Sequence, residues 1–201
     1  MENSVFNLKT QQTNLTGKIV VGLERISEAF KVLLWEHAKA NGLSPIQIQI
    51  LIFVAHHKEA YCNVSHLAQE FNVTKPTISD AVKALSLKQL IDKDNSSSDS
   101  RSYTIILSEK GKNIVLKTEN FAKPIQNILD QTAIENLEVM YKAITDLMYG
   151  LNKSGNLSVQ RMCFSCKYYD KIKGEHFCNF LNKPLQTKEI RVDCPEFEPT
   201  S

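Results

Sequence analysis

Four of the five cysteines lie close together in the last third of the chain, at Cys163, Cys166, Cys178 and Cys194. The first two form a Cys-x-x-Cys motif, whose short turn lets both sulfurs face the same metal. The two later cysteines complete a set of four thiolate ligands. Because four thiolates can hold either zinc or an iron–sulfur cluster, this spacing predicts a metal centre.

Four cysteine ligands suit zinc, but their spacing leaves the identity of the metal open. A zinc ion held by four cysteines would be structural, because its tetrahedral shell has no free position for catalysis. Cys178 and Cys194 do not form a second Cys-x-x-Cys pair, as a standard zinc ribbon would have, and Pro195 follows the last cysteine as in bacterial iron–sulfur motifs. An iron–sulfur cluster is therefore the alternative.

The segment that carries these cysteines, residues 161–201, is too short to build a large core. Its main apolar residues are aromatic: Tyr168, Tyr169, Phe177, Phe180 and Phe197. Metal binding would supply the folding free energy that such a small core lacks. The acidic residues of this tail do not combine with a base, nucleophile or phosphate loop, so we expect solvated charges and no enzyme. Four of them are Asp170, Glu175, Asp193 and Glu196. A linker at residues 152–160 precedes the tail.

Further upstream, two short helices separated by a tight turn are predicted between residues 64 and 87. Each has apolar residues at positions i, i+3, i+4 and i+7, which form one face of a helix. These are Val64, Leu67, Ala68 and Phe71 in the first helix, and Ile78, Ala81, Val82 and Leu85 in the second. Thr74 can cap the second helix, and Pro76 is tolerated in its first turn. The pattern predicts a helix-turn-helix.

A two-stranded wing follows the helix pair. Leu90-Ile91 and the β-branched, aromatic run 103–107 flank a polar stretch, which is the pattern of a hairpin. The hydroxyls and lysines on the outer face of the second helix suit a DNA major groove, and Arg101 near the hairpin tip can enter the minor groove or contact phosphate. The predicted DNA-binding residues are Ser65, Thr74, Lys75, Thr77, Ser79, Lys83, Lys88 and Arg101.

Long apolar helices are predicted on both sides of this DNA-binding core, which spans residues 44–107. One runs over 15–41 and ends before Gly42; the region 108–151 holds two more, the first interrupted near Pro124. Thr132-x-x-Glu135 looks like a capping box for the last of them. Residues 1–14 are expected to be flexible. The apolar surface of these helices exceeds what one small domain needs, which favours a symmetric homodimer.

The formal net charge of +2 excludes a general nucleic-acid coat. Affinity for DNA would have to come from a local patch, supported by dimerisation. The sequence contains neither an apolar run long enough for a bilayer nor a signal peptide, so we expect a cytoplasmic protein without a membrane partner.

Several motifs in this order resemble the MarR-type winged-helix regulators. They are Leu43-Ser44-Pro45-x-Gln47-x-x-Ile50-Leu51, Leu67-Ala68, Thr77-Ile78-Ser79, Leu90-Ile91, Asp99-x-Arg101 and Leu107-Ser108-x-x-Gly111. The resemblance covers residues 15–151. It implies a mainly α, α+β winged-helix fold in which the helices of 15–41 and 108–151 form the dimer. Gln89 and Lys93 depart from the Gly and Arg that the family often has there.

The sequence therefore predicts a homodimeric transcription regulator, with repression as the expected sign, that binds palindromic double-stranded promoter DNA. A small-molecule effector between the dimerisation helices and the winged helix, or a change at the cysteine centre, would relieve repression. An iron–sulfur centre would make the protein a redox, oxygen or iron sensor, whereas zinc would make the tail a clamp or docking surface. The alternative is a protein–protein adaptor that uses a winged helix and a metal-folded docking tail.

Overall fold

The computed structural model describes residues 4–94, 103–157, 161–172 and 174–200. The fold is mainly α, with two small antiparallel sheets. Its helices are α1 Leu8–Thr13, α2 Leu15–Ala40, α3 Pro45–His56, α4 Val64–Glu70, α5 Lys75–Leu87, α6 Glu109–Thr118, α7 Lys123–Leu129 and α8 Ile134–Lys153. Its strands are β1 Ile91–Asp94, β2 Thr104–Leu107, β3 Tyr169–Ile172, β4 Glu175–Cys178 and β5 Lys183–Leu185. Across the described ranges, no helix combines the length and apolarity that a bilayer span requires.

The winged helix forms around one apolar core, as the sequence predicts. The stripes of α4 and α5 face this core together with α3 and the wing; its most buried members include Ile50, Leu51, Leu67, Ile78, Val82, Leu85, Ile91 and Ile105. Strands β1 and β2 pair antiparallel, with Ile91 opposite Leu107. The Thr74 side chain accepts a hydrogen bond from the Thr77 backbone N–H at 3.3 Å, which caps α5.

The junction between the wing and α6 explains the Leu107-Ser108-x-x-Gly111 motif. The Ser108 hydroxyl accepts a hydrogen bond from the Gly111 N–H at 3.0 Å and donates one to the Gln89 carbonyl at 2.7 Å. Gly111 lies so close to the Leu90 carbonyl that a Cβ would meet its oxygen at 2.0 Å. Gln89 has a φ of 58°, a left-handed conformation that glycine adopts without steric cost, which accounts for the family's preference at this position.

The flanking helices correct three details of the sequence interpretation. The region after the wing contains three helices, because α6 ends at Thr118 and Pro124 lies in the first turn of α7. Helix α8 begins at Ile134 with Ala133 as its N-cap and no side-chain cap, so the capping box predicted at Thr132 is wrong. Residues expected to be flexible include helix α1, whose first turn is capped by Asn7.

Helices α2 and α8 each expose a long apolar face in the single chain. Only the C-terminal part of α2 packs on the core, through Leu34 and Ala38. Exposed apolar residues on α2 are Leu15, Ile19, Val20, Leu23, Ile26, Phe30, Val32 and Trp35, and those on α8 are Ile134, Val139, Met140, Ile144, Leu147 and Leu151. Such an extended apolar surface is unusual for a monomer and is typical of an interaction surface.

The tail forms a small folded unit that packs on helix α8 of the same chain. Strands β3, β4 and β5 form an antiparallel sheet in that order. The predicted aromatic residues take part, but aliphatic residues are more deeply buried: Met162, Leu185 and Ile190. The Tyr141 hydroxyl on α8 donates a 2.5 Å hydrogen bond to the Ile190 carbonyl, which fixes the tail to this helix.

Candidate nucleic-acid surface and cysteine cavity

Helix α5 presents the predicted hydroxyls and lysines on its outer face. Its apolar residues face the core, so the remaining positions point outward, as the helical period requires. The exposed side chains include those of Thr74, Lys75, Thr77, Ser79 and Lys83, and Ser65 on α4 is also exposed. The hydroxyls of Thr74 and Thr77 lie 2.8 Å apart and hydrogen-bond to each other, which positions both at the start of the helix.

Two of the predicted DNA-binding residues stand apart from this group. The Lys88 ammonium donates a hydrogen bond to the Gly42 carbonyl, which ties the end of α5 to the loop before α3. Lys88 therefore has a role within the fold, and its contact with DNA stays a prediction. Arg101 and the hairpin tip, residues 95–102, lie outside the described residues.

The four tail cysteines line a single cavity of about 260 Å³. Cys163 and Cys166 flank a 3₁₀ turn, Cys178 ends β4 and Cys194 follows a second 3₁₀ turn, so three separate backbone segments bring the thiols together. The cavity wall between them is largely apolar and includes Tyr168, Phe180, Leu181, Leu185 and Ile190. All four thiols are free. The structure thus brings the predicted ligands to one site.

Nitrogen donors point at three of these sulfurs. The Arg191 backbone N–H lies 3.2 Å from Cys163 Sγ, the Arg191 guanidinium 3.5 Å from Cys194 Sγ, and the Leu181 N–H 3.5 Å from Cys178 Sγ. Burial raises the pKa of the Cys163 thiol; the Arg191 N–H opposes this, and the other three thiols add to it. A bound cation would reverse this effect by stabilising the thiolates.

The cysteines surround the cavity without converging on one point. Among the described residues, no three His, Cys, Asp or Glu side chains are close enough together to hold a single metal ion. The zinc site predicted from the sequence is therefore not confirmed, and the identity of the metal stays a prediction. Chemically, the arrangement offers four sulfur ligands around a space wider than one ion.

A buried arginine joins this tail to the helix-turn-helix, and we call its network the Arg161 clasp. Arg161 is only 6% exposed. Its guanidinium donates to both Glu70 oxygens at 2.7 and 3.1 Å, and to both Asp193 oxygens at 2.7 and 3.1 Å. It also lies 5.3 Å from the centre of the Phe53 ring and 5.6 Å from that of Tyr61, within cation–π range. The clasp therefore connects α3, α4 and the tail.

His57 completes the Arg161 clasp. Its ring stacks on Phe53 with 3.8 Å between the centroids, and its Nε2 lies 2.8 Å from Asp193 Oδ2. The hydrogen bond to Asp193 raises the pKa of His57, against the effect of burial. Burial alone would raise the pKa of Asp193, but its hydrogen bonds to His57 and Arg161 hold that pKa well below its ordinary value.

The clasp was missed at the sequence level. The prediction that Asp193 is a solvated charge is wrong, because it pairs with Arg161 and His57. The partners Arg161 and Glu70 are 91 residues apart, and no periodic pattern connects them. The only sequence signal is the position of these charges, since Arg161 and Asp193 each stand within two residues of a predicted metal ligand.

Cys62 lies apart from the tail cysteines. It is 1% exposed. Its Sγ lies 3.5 Å from the Lys58 carbonyl, and burial raises its pKa to about 11. Burial and a raised pKa both disfavour the thiolate at neutral pH, which is typical of a structural cysteine.

The fold is that of a MarR-type winged-helix protein. Residues 41–102 match the model of the MarR family. Among solved structures, the S. aureus MepR–DNA complex is 23% identical, with a TM-score of 0.56 over 64% of this chain and 94% of the other. A MarR transcriptional regulator from Methanosarcina mazei Go1 is 18% identical, with a TM-score of 0.56 over 67% and 96%.

A MarR-family regulator from Rhodococcus sp. RHA1, 14% identical, has a TM-score of 0.54 over 67% of this chain and 96% of the other. At these identities the likeness establishes the fold. The match covers 94–96% of each of these three structures, whereas about a third of this chain lies outside the match. Among curated proteins, none matches this sequence.

Proposed function

We propose that this protein is a homodimeric transcription regulator that binds palindromic double-stranded DNA. The exposed hydroxyl-and-lysine face of α5, presented beside the β1–β2 wing on a MarR-type fold, is the observation that carries this proposal. A fold of this type was solved in complex with DNA in S. aureus MepR. Short hydroxyls reach base edges and phosphates without steric bulk, and lysines neutralise phosphates.

In this proposal the N-terminal half of α5 enters the major groove. Thr77 and Ser79 contribute to base recognition, while Lys75 and Lys83 contact phosphates on either side. The paired hydroxyls of Thr74 and Thr77 hold the start of the helix in position. Arg101 on the wing extends the contact to the minor groove or the neighbouring backbone.

A second copy of the chain covers the apolar faces of α2 and α8. Helix α2 has 26 residues and is therefore about 39 Å long, far more than its packing on the core requires. An apolar face that repeats on both copies is self-complementary under two-fold symmetry. The same two-fold would place one α5 in each half-site of a palindrome.

Lys83→Glu is expected to weaken DNA binding at least tenfold near physiological salt, because each subunit loses a phosphate contact and gains a repulsive charge. The slope of log K against log salt should fall by about 2 per dimer, or roughly one for each lysine contact. Fluorescence anisotropy with genomic promoter fragments, selected by footprinting with wild-type protein, measures both quantities.

Lys171→Glu is the matched control, since it makes the same charge change on β3 of the tail, where Lys171 is also exposed. It should bind DNA as tightly as wild type. Equal DNA affinities of wild type and the Lys83 variant would show that α5 is not the surface that contacts DNA. If wild type shows no salt-dependent binding to any genomic fragment, the protein-adaptor function takes the place of this proposal.

We further propose that the cysteine cavity regulates DNA binding through the Arg161 clasp. The Cys194 N–H donates to the Arg161 carbonyl at 3.0 Å, and Asp193 directly precedes Cys194. The same arginine holds Glu70, the last residue of α4, which leads through a short turn into α5. A change in the position of Cys194 would therefore act on the helix-turn-helix through a chain of direct contacts.

Removal of the metal from the cysteine centre is expected to change the DNA affinity of wild type at least fivefold, which is the lower end of typical coupling between two sites. Glu70→Gln should bring the ratio of the two affinities, with and without metal, towards one, because a neutral amide cannot hold the guanidinium as a carboxylate does. Glu59→Gln, a change of the same type at an exposed position, should keep the wild-type ratio. If wild type binds DNA equally well with and without metal in the cysteine centre, the tail is a structural clamp without a regulatory role.

The location of a small-molecule effector stays a prediction. A cleft of about 530 Å³ lies between α3, β2 and α6, at the junction of the winged helix and the following helices. Its size suits a drug-sized ligand. Its walls include Val54, Cys62, Ile105, Val115 and Leu116.

A further inference from the structure

We propose that the four-cysteine cavity holds an iron–sulfur cluster. This deepens the proposed function by naming the class of cofactor that the tail binds, and its test does not depend on DNA binding. The inference rests on the width of the cavity, the directions of its hydrogen-bond donors and the way the backbone holds the four ligands apart.

The cavity has room for more than a single zinc ion. Zn–S bonds of about 2.3 Å place the sulfurs of a tetrahedral site roughly 3.8 Å apart. Here the four cysteines line a cavity of about 260 Å³ together with eleven other residues, and no three ligand side chains of the described residues are close enough together to hold one ion. For comparison, a cavity of about 150 Å³ already accommodates benzene. A polynuclear cluster would use this space, with the four thiols as its ligands.

The walls of the cavity match the needs of a cluster. An iron–sulfur core exposes bridging sulfides as well as iron, and apolar and aromatic walls shield these atoms from water. Tyr168, Phe180, Leu181, Leu185 and Ile190 supply such walls. Lys183 and Arg191 also line the cavity. Lys183 is paired with Glu189 at 2.6 Å, whereas the Arg191 guanidinium is directed at Cys194 and would offset part of the negative charge of a cluster held by four thiolates.

Hydrogen bonds to the ligand sulfurs support the same assignment. Arg191 directs its backbone N–H at Cys163 and its guanidinium at Cys194, while the Leu181 N–H points at Cys178. Donors of this kind stabilise the reduced form of a cluster and set its potential. Arg191 therefore contacts two of the four ligands from one position.

The backbone holds these ligands apart. An isolated bridge joins Cys166 to Pro199, and another joins Arg161 to Asp193. Cys178 is fixed in the register of the tail sheet, opposite Tyr169 on β3 and Lys183 on β5. Three segments of this framework carry the four cysteines, with Cys163 and Cys166 on one 3₁₀ turn, so the thiols reach the cavity from three directions.

The test is the metal content of the full chain purified without oxygen. We expect a brown protein with a broad visible absorption band, two or four irons per chain and an equal amount of acid-labile sulfide. Apoprotein treated with ferrous iron and sulfide should recover the same spectrum, and prior treatment with Zn²⁺ alone should not give a stable one-to-one complex.

Cysteine variants link the cluster to this cavity. Cys178→Ser, at a half-buried position on the cavity rim, should lose most of the iron and the visible absorption. Cys62→Ser should keep both, because Cys62 lies beside β2, where its carbonyl accepts a hydrogen bond from the Ile105 N–H, and it does not line the cavity. Circular dichroism and gel filtration establish that each variant is folded before its metal content is compared.

Three outcomes would overturn the inference: one zinc per chain in a colourless protein, one iron without sulfide, or four free thiols that take up neither metal. A cluster that persists in both Cys178→Ser and Cys163→Ser would also overturn it, since the iron would then lie elsewhere. Each outcome concerns metal content alone, so a protein that binds DNA but lacks a cluster would retain the proposed regulator function. If the protein contains a cluster but does not bind DNA, this inference still holds and the proposed function fails.

Discussion

Gly111→Ala is expected to lower the free energy of unfolding by about 3 kcal/mol, the upper end of what overpacking costs. The added Cβ would lie 2.0 Å from the Leu90 carbonyl oxygen and 3.1 Å from its carbon. Backbone atoms cannot rotate away as a side chain can, so α6 would have to move off the wing. Such a movement would also strain the hydrogen bond from the Ser108 N–H to the same carbonyl. Urea unfolding followed by circular dichroism measures the loss.

Gly150→Ala is the matched control, a glycine-to-alanine change in the helix interior of α8 where nothing in the chain lies within 4 Å of the new Cβ. Alanine has the higher helix propensity, so this variant should gain up to about 1 kcal/mol. Both must be compared at one protein concentration, because dimerisation adds to apparent stability. Equal stabilities of the Gly111 variant and wild type would show that α6 does not approach the Leu90 carbonyl this closely.

The sequence predicts the winged helix well because local patterns determine it. The apolar period of α4 and α5, the cap at Thr74 and the β-branched, aromatic run of the wing each require only neighbouring residues. All of these features were confirmed, and the family motifs placed them in the right order. The register of the wing, with Ile91 opposite Leu107, follows because one face of each strand must reach the core.

The helix boundaries after the wing could not be predicted to the same degree. Thr132 and Glu135 have the spacing of a capping box, but α8 begins at Ile134, with Ala133 as its N-cap and without a side-chain cap. The sequence predicts that Pro124 interrupts one helix. It instead lies in the first turn of the separate helix α7, where its missing N–H has no helical partner to lose.

The candidate site shows the same division between local and long-range information. The type and spacing of the four cysteines are visible in the sequence, and in the structure all four line one cavity. The width of that cavity depends on how three backbone segments pack, which the spacing alone does not give. The sequence could not predict the Arg161 clasp, because the clasp joins charges from α4 and from both ends of the tail, which are far apart along the chain.

Arg161→Met is expected to lower the free energy of unfolding by about 2–4 kcal/mol and to release the tail from the helix-turn-helix. Removing one partner of a buried ion pair typically costs about 3–5 kcal/mol, because the remaining charge stays unpaired. Here two carboxylates lose their shared partner. Asp193 is 44% exposed and can be solvated in part, which keeps the loss below the upper limit, whereas Glu70 is only 19% exposed.

Urea unfolding measures the total loss, and hydrogen exchange should locate the increased opening in α4 and the tail rather than in α2. Arg25→Met is the control; that arginine is 81% exposed, and its change should stay within about 0.5 kcal/mol.

The double variant Arg161→Met with Glu70→Leu should recover part of the stability, because it removes the unpaired carboxylate together with its partner. A double variant that is less stable than Arg161→Met alone would mean that the Glu70 carboxylate keeps favourable contacts without the guanidinium, such as the one with His66 at 3.8 Å. Recovery would identify Glu70 as the charge through which the tail holds α4.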